Sequence, residues 1–265
     1  GGGAADGGGG GKSTNYVAAF SVCVLATEFN AEKYEALCAL LARVYAAQRN
    51  PVSILECYLQ VFARGAARAP AGVDADAFAE ADWDVRHAYL ASPLRAVVAA
   101  FGEQTALLWA ALVLKKRVVV YADAVPALQR FTRALPLLAF HRQNWSVLRP
   151  YVVPTKNEVA DLRSAAHYVA GFTEPAVAEQ HDLYDVYVDL NARRVVVAEH
   201  ARRDMALTPF HNELAAALVD AADDAAKSDQ DVVRVAVTKT KGLINKLAAL
   251  RAAGLAADTA RRRPP

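Results

Sequence analysis

The chain has 265 residues, enough for one large domain or two small ones, and 54% of them are hydrophobic, enough to bury a core. Its 30 basic and 28 acidic residues leave a net charge of +2, which argues against a nucleic-acid partner or a polybasic membrane surface. No run reaches ~18 consecutive apolar residues, so no transmembrane segment is expected. The three cysteines, Cys23, Cys38 and Cys57, are odd in number and widely spaced, which reads as buried apolar thiols in a reducing compartment.

Residues 1–15 are glycine-rich and too poor in apolar surface to offset their ordering entropy, so disorder is expected there. They lack a charged-then-apolar signal pattern and read as the start of a cytosolic protein. The run GGGGGKST (Gly7 to Thr14) imitates a phosphate-binding loop, but Asp6 stands where the first glycine of that motif belongs. No apolar strand precedes it to hold the loop's amides around a phosphate.

Order is expected from Tyr16. Phe20 to Ala26 (FSVCVLA) reads as a strand. Asn30 caps a helix carrying Tyr34, Leu37, Leu41 and Val44 at helical spacing. Asn50-Pro51 ends it and caps another, whose apolar stripe is Val52, Leu55, Leu59 and Phe62. Gly65 to Phe78, rich in small residues, proline and charge, reads as a linker.

Ser92-Pro93 opens a short helix that ends at Gly102. Glu103 to Lys115 is apolar almost all round, as a helix between layers would be. Arg117 to Tyr121 is short and β-branched, the mark of a central strand. Pro126 starts the next helix, which Pro136 should shorten. A helix around Glu158 to Ala166 precedes the strand Tyr168 to Phe172, where Gly171 marks a bulge or a close backbone approach.

Asp185 to Leu190 and Arg193 to Ala198 read as a hairpin about Asn191-Ala192. Thr208-Pro209 starts a helix with Phe210, Leu214 and Leu218 inward. Ser228 and Asp231 have capping-box spacing before a long helix with Val233, Val237, Ile244 and Leu247 on one stripe. Helix, strand and helix in close succession over Leu107 to Tyr151 define an α/β fold with a central, mostly parallel sheet and flanking helices.

No HExxH, GxSxG, GxGxxG or kinase signature is present, and the six histidines have no metal-ligand spacing. His181-Asp182 has the look of half a catalytic triad, but no serine or cysteine sits in a nucleophile turn. The pattern calls for no catalytic centre, cofactor or metal and leans toward protein binding.

LLWAALVLKKRVVVY (Leu107 to Tyr121) resembles the helix-then-strand element of DENN domains. FTRALPLLAFHRQNWSVLRPYV (Phe131 to Val152) resembles the helix and aromatic–proline segment that follow it. YVAGF (Tyr168 to Phe172) and DLYDVYVDLNARRVVV (Asp182 to Val197) resemble the later strand and hairpin. FNAEKY (Phe29 to Tyr34), DVRHAYLASPL (Asp84 to Leu94) and KSDQDV (Lys227 to Val232) extend the likeness over about Phe20 to Leu250.

The resemblance implies a DENN-type fold: residues 1–15 a disordered segment, 16–66 the remnant of a longin-like lobe, 80–200 the central α/β lobe and 201–265 a helical lobe. It also implies strands and a helix before FSVCVLATEF, where this sequence has its glycine-rich segment. The function implied is guanine nucleotide exchange on a Rab GTPase of the Rab27 type, in a cytoplasmic protein peripheral on late endosomes and active in endosomal transport. The alternative is a non-catalytic subunit docked on coiled-coil subunits of the Commander recycling assembly. The residues offered for partner contact are Asp84 and Arg86, and Arg142, Gln143 and Asn144 beside the Trp145 anchor.

Overall fold

The computed structural model describes residues 17–27, 30–73, 77–83 and 93–252. The P-loop-like run, Asp84 and Arg86 lie outside these residues. The chain divides into two compact units, with the boundary between Asp84 and Val85.

In the first unit, α1 (Ala31–Gln48) is capped by Asn30, whose side chain accepts from the Lys33 amide at 3.3 Å. Arg49 ends it in the left-handed conformation. Asn50 caps α2 (Pro51–Arg64), accepting from the Val52 amide at 3.0 Å, with Pro51 at the first helical position. Leu37, Leu40, Leu41 and Val44 of α1 pack against Cys57 and Val61 of α2. The segment expected to be a linker carries a short antiparallel pair at its ends, β1 (Ala66–Ala67) and β2 (Phe78–Ala79).

Two expectations for this unit fail. Phe20 to Ala26 forms no strand. Val22 and Val24 pack on the helix core while Leu25 is fully exposed, so the period-two pattern is real. Among the described residues no strand lies alongside to complete a ladder, and β propensity cannot form one alone. The cysteines also differ: Cys57 is buried, Cys38 half-buried and Cys23 exposed, all three free.

The second unit is built on a five-stranded sheet in the order β4 (Leu148–Arg149), β5 (Tyr168–Phe172), β3 (Arg117–Tyr121), β6 (Val186–Asp189), β7 (Arg194–Val197). The first four strands run parallel and β7 is antiparallel to β6. β3 lies at the centre, buried on both faces, which explains its unbroken Val118-Val119-Val120 run. Val118 and Val120 face a core shared with the helices α3 (Leu94–Phe101), α4 (Thr105–Val113), α5 (Val125–Ala134), α7 (Pro209–Asp223) and α8 (Asp229–Ala252). Val119 faces a second core with α6 (Lys156–Ser164) and the strand residues Tyr168, Ala170 and Phe172. The architecture is mixed α/β, with helices covering both faces of a mostly parallel sheet.

The stretch Leu94–Val113 is long and apolar enough to cross a membrane by length and composition alone. In the fold it breaks at the 3₁₀ turn Gly102–Gln104, and Val97, Phe101, Leu108 and Trp109 are buried in the core. Pro136 has the expected effect: α5 stops at Ala134 and the chain continues as 3₁₀ turns over Leu135–Arg142.

Gly171 marks a close approach. A Cβ there would overlap the Pro150 carbonyl oxygen and lie 2.9 Å from Leu128 Cγ. The β6–β7 loop is longer than the two residues expected: Asp189 pairs with Arg194, leaving four residues between them. Asp189 Oδ1 accepts from the Ala192 amide at 2.8 Å, and Arg193 takes a positive φ of 50° to close the loop.

Ser228 and Asp231 form the expected capping box at the start of α8, with the Ser228 amide donating to Asp231 Oδ2 at 2.9 Å. The apolar stripe of α8 is buried only in its first half. Val233 is buried, whereas Ile244 and Leu247 are exposed, because the core that Val233 joins reaches along the helix no further than Leu243.

Candidate functional site

The Lys-Lys-Arg turn and the HRQNW segment, far apart in sequence, meet around one cleft of about 320 Å³. Its rim holds Lys115, Lys116, Arg142, Asn144 and His167, and its apolar wall includes Leu112, Val147 and Val169. Lys115 sits just past α4 with φ at +56°, in a tight turn closed by the Lys116 amide donating to Ala111 O at 2.8 Å. Arg142 comes from the end of the 3₁₀ segment and donates to Leu112 O at 2.8 Å and Val113 O at 2.6 Å. The Val113 carbonyl is one that α4 leaves without an intrahelical partner, while the Leu112 carbonyl also accepts from the Lys115 amide at 3.2 Å. Arg142 therefore holds the end of the central apolar helix as well as lining the cleft.

Charge in the cleft is one-sided. Lys116 is paired with Asp204 at 2.7 Å. Among the described residues no carboxylate pairs with Lys115 or Arg142, and none of those lining the cleft is acidic. Burial holds the His167 imidazole below its ordinary value, and the charges of Lys115 and Arg142 add to the effect. His141 is shifted the same way, by burial and then by Arg142.

Of the residues offered from sequence, Arg142 and Asn144 thus share the cleft. Asn144 also orders the next turn, its Oδ1 accepting from the Ser146 amide at 3.0 Å and the Ser146 hydroxyl at 2.6 Å. Gln143 is exposed and adopts a positive φ of 45° at the end of the 3₁₀ segment. Trp145 is half-buried and meets Phe140 edge to face, with ring centroids 6.2 Å apart.

Other histidines and acids among the described residues make structural contacts. His181 Nδ1 lies 2.7 Å from the Tyr184 hydroxyl, and Asp182 pairs with Arg163 at 2.7 Å. Asp185 accepts from the Arg117 amide at 2.7 Å and from His200 Nε2 at 2.9 Å. Burial pushes the Asp185 carboxyl up, but its bonds from Arg117 and His200 outweigh that and hold it below the ordinary value. Among the described residues, no group of three or more His, Cys, Asp or Glu is placed to hold a metal.

Two features escaped the sequence reading. Arg95 on α3 pairs with Asp229 at 3.2 Å and donates to the Ala222, Asp224 and Lys227 carbonyls, so one side chain ties three points of the α7–α8 connection. No local motif announces such a long-range contact. The second is the orientation of α2. The expected stripe Val52, Leu55, Leu59 and Phe62 faces solvent, with Phe62 79% exposed. Ser53, Cys57 and Val61 face α1 instead. Both faces of α2 are apolar, and spacing alone does not say which one the fold buries.

Residues 91–199 match the family described as SPA, stabilization of polarity axis. The chain is 40% identical over 234 residues to DENN domain-containing protein 10 of Danio rerio, covering 88% of this chain and 66% of that protein. It is 38% identical over 239 residues to the Dictyostelium discoideum protein of the same name, covering 90% of this chain and 64% of that one. The Homo sapiens protein of that name is 38% identical over 232 residues, covering 88% and 64%. The chain belongs to the DENN domain family. Among its members it is similar to DENN domain-containing protein 10, and it spans about two thirds of the length of those relatives.

Proposed function

We propose that this chain acts on a Rab GTPase, of the Rab27 type, as a guanine nucleotide exchange factor in late endosomal positioning, maturation and protein transport. The observation that carries the reading is the 37–40% identity to DENN domain-containing protein 10 from several organisms, sustained over about nine tenths of this chain. Exchange of this kind needs no acid, base or metal from the factor. It proceeds by binding the nucleotide-poor conformation of the GTPase switch loops more tightly than the nucleotide-bound one, a shift of population by differential affinity. The protein works from the cytoplasm, peripheral on late endosomes, and Asp84, Arg86, Arg142, Gln143 and Asn144 supply polar contacts to the GTPase.

The apolar stripe left in solvent on α2 supports a protein partner, since contiguous exposed apolar residues of this size mark interaction surfaces. The same stripe favours a second reading, in which the chain is a non-catalytic subunit docked on coiled-coil subunits of the Commander recycling assembly. A fluorescent-nucleotide release assay against a panel of Rab GTPases separates the two. Acceleration of release from a Rab27-type GTPase supports exchange. No acceleration from any Rab, together with co-purification of coiled-coil subunits, rejects exchange in favour of the scaffold.

A further inference from the structure

We propose that the cleft bounded by Lys115, Arg142 and His167 is a binding site for a phosphate monoester. Three observations converge on it. The first is shape: a cleft of about 320 Å³ with an apolar wall and a polar rim is in the range that holds a small ligand. The second is uncompensated charge. The cationic heads of Lys115 and Arg142 come from two separate elements, and among the described residues neither is paired with a carboxylate. The third is backbone cost. Lys115 holds a positive φ that glycine adopts more easily, so a lysine at that position carries a side chain where conformation alone favours none.

The ligand class follows from the donor set. Arg142 already spends two N–H groups on Leu112 O and Val113 O, which fixes its guanidinium at the cleft it lines while leaving the positive charge without a carboxylate. Lys115 adds a mobile point charge. Burial lowers the pKa of His167 and its two cationic neighbours add to the effect, so a dianion entering between them offsets that repulsion and favours its protonation. A carboxylate would be satisfied by one cation. A phosphate monoester, with up to two charges and three acceptor oxygens, matches two fixed cations and an inducible third.

The test is calorimetric titration of the full chain with glycerol 3-phosphate, repeated with Lys115→Gly. That variant removes the charge while suiting the positive φ, so it separates a ligand role from a helix-end role. Saturable binding is expected in the parent and a loss of about fivefold or more in affinity in Lys115→Gly, with an unchanged circular-dichroism spectrum. Addition of glycerol 3-phosphate is expected to move the His167 ring resonances toward the protonated form. Phosphatidylcholine vesicles doped with phosphatidic acid carry the same phosphate chemistry on a lipid. Retention on them, lost in Lys115→Gly, assigns the ligand to a membrane headgroup, and no retention on them while glycerol 3-phosphate binds assigns it to a soluble compound. Absence of saturable binding to both probes, or equal binding by parent and Lys115→Gly, overturns the proposal. So does binding of a glutamate-rich peptide in place of both phosphate probes, which assigns the cleft to an acidic protein segment.

Discussion

Arg142→Ala should unfold the second unit more easily, because Arg142 serves the end of α4 before it serves any partner. It makes two charge-assisted bonds, 2.8 and 2.6 Å long, to the Leu112 and Val113 carbonyls. Bonds to a charged group contribute ~1.5–3 kcal/mol each when the partners are withdrawn from water. Arg142 is half-buried at the mouth of a cleft, water can re-solvate the freed Val113 carbonyl and Leu112 O keeps the Lys115 amide, so the pair together should contribute about 2 kcal/mol. For a domain of this size, that is a drop of ~4–8 °C in melting temperature. Lysine offers one point charge where arginine offers a fork, so Arg142→Lys should recover less than half of the loss. Thermal melts followed by circular dichroism give both numbers. A melting temperature for Arg142→Ala within ~1 °C of the parent would refute the reasoning. The same measurement is needed before any loss of partner binding in an Arg142 variant is read as a lost contact.

Other substitutions test the frame. Gly171→Ala should cost ~1–3 kcal/mol, since its Cβ would overlap the Pro150 carbonyl on one side and crowd Leu128 on the other; chemical denaturation reports it, and wild-type stability would show that β4 and β5 separate freely. Trp109→Phe removes the buried bond from Nε1 to Thr240 Oγ1, 2.9 Å long, that joins α4 to α8, and should cost about 1–2 kcal/mol in the same assay. Asp185 tests pH dependence. Its folded carboxyl titrates below its ordinary value, so its contribution is complete above the unfolded pKa of about 3.9 and is lost as pH falls through the folded value. Asp185→Asn should therefore lower stability at neutral pH and flatten the acid limb of a melting-temperature profile; an unchanged acid limb would remove Asp185 from the account.

The second unit was largely legible because its elements announce themselves. A buried strand must be uniformly apolar, as Val118 to Val120 are, and prolines and caps at Pro136, Thr208-Pro209 and Ser228 mark helix ends by backbone chemistry that tertiary context does not alter. Contact-dependent features were not legible. The Phe20 to Ala26 segment has strand composition, but a strand exists only with a neighbour. The α2 stripe was visible as a stripe, yet helical spacing marks a face without saying whether it meets protein or water. Both halves of the cationic cleft were visible as separate motifs; only the fold brings Lys115 to Arg142, and it gives Arg142 a helix end to hold.

The central claim is differential binding of a Rab GTPase. The direct measurement is the affinity of the full chain for a Rab27-type GTPase in its nucleotide-free, GDP-loaded and GTP-loaded forms. Exchange activity predicts that the nucleotide-free form binds at least about tenfold more tightly than either loaded form, since only such a difference moves the population. Equal affinity for all three forms would contradict it.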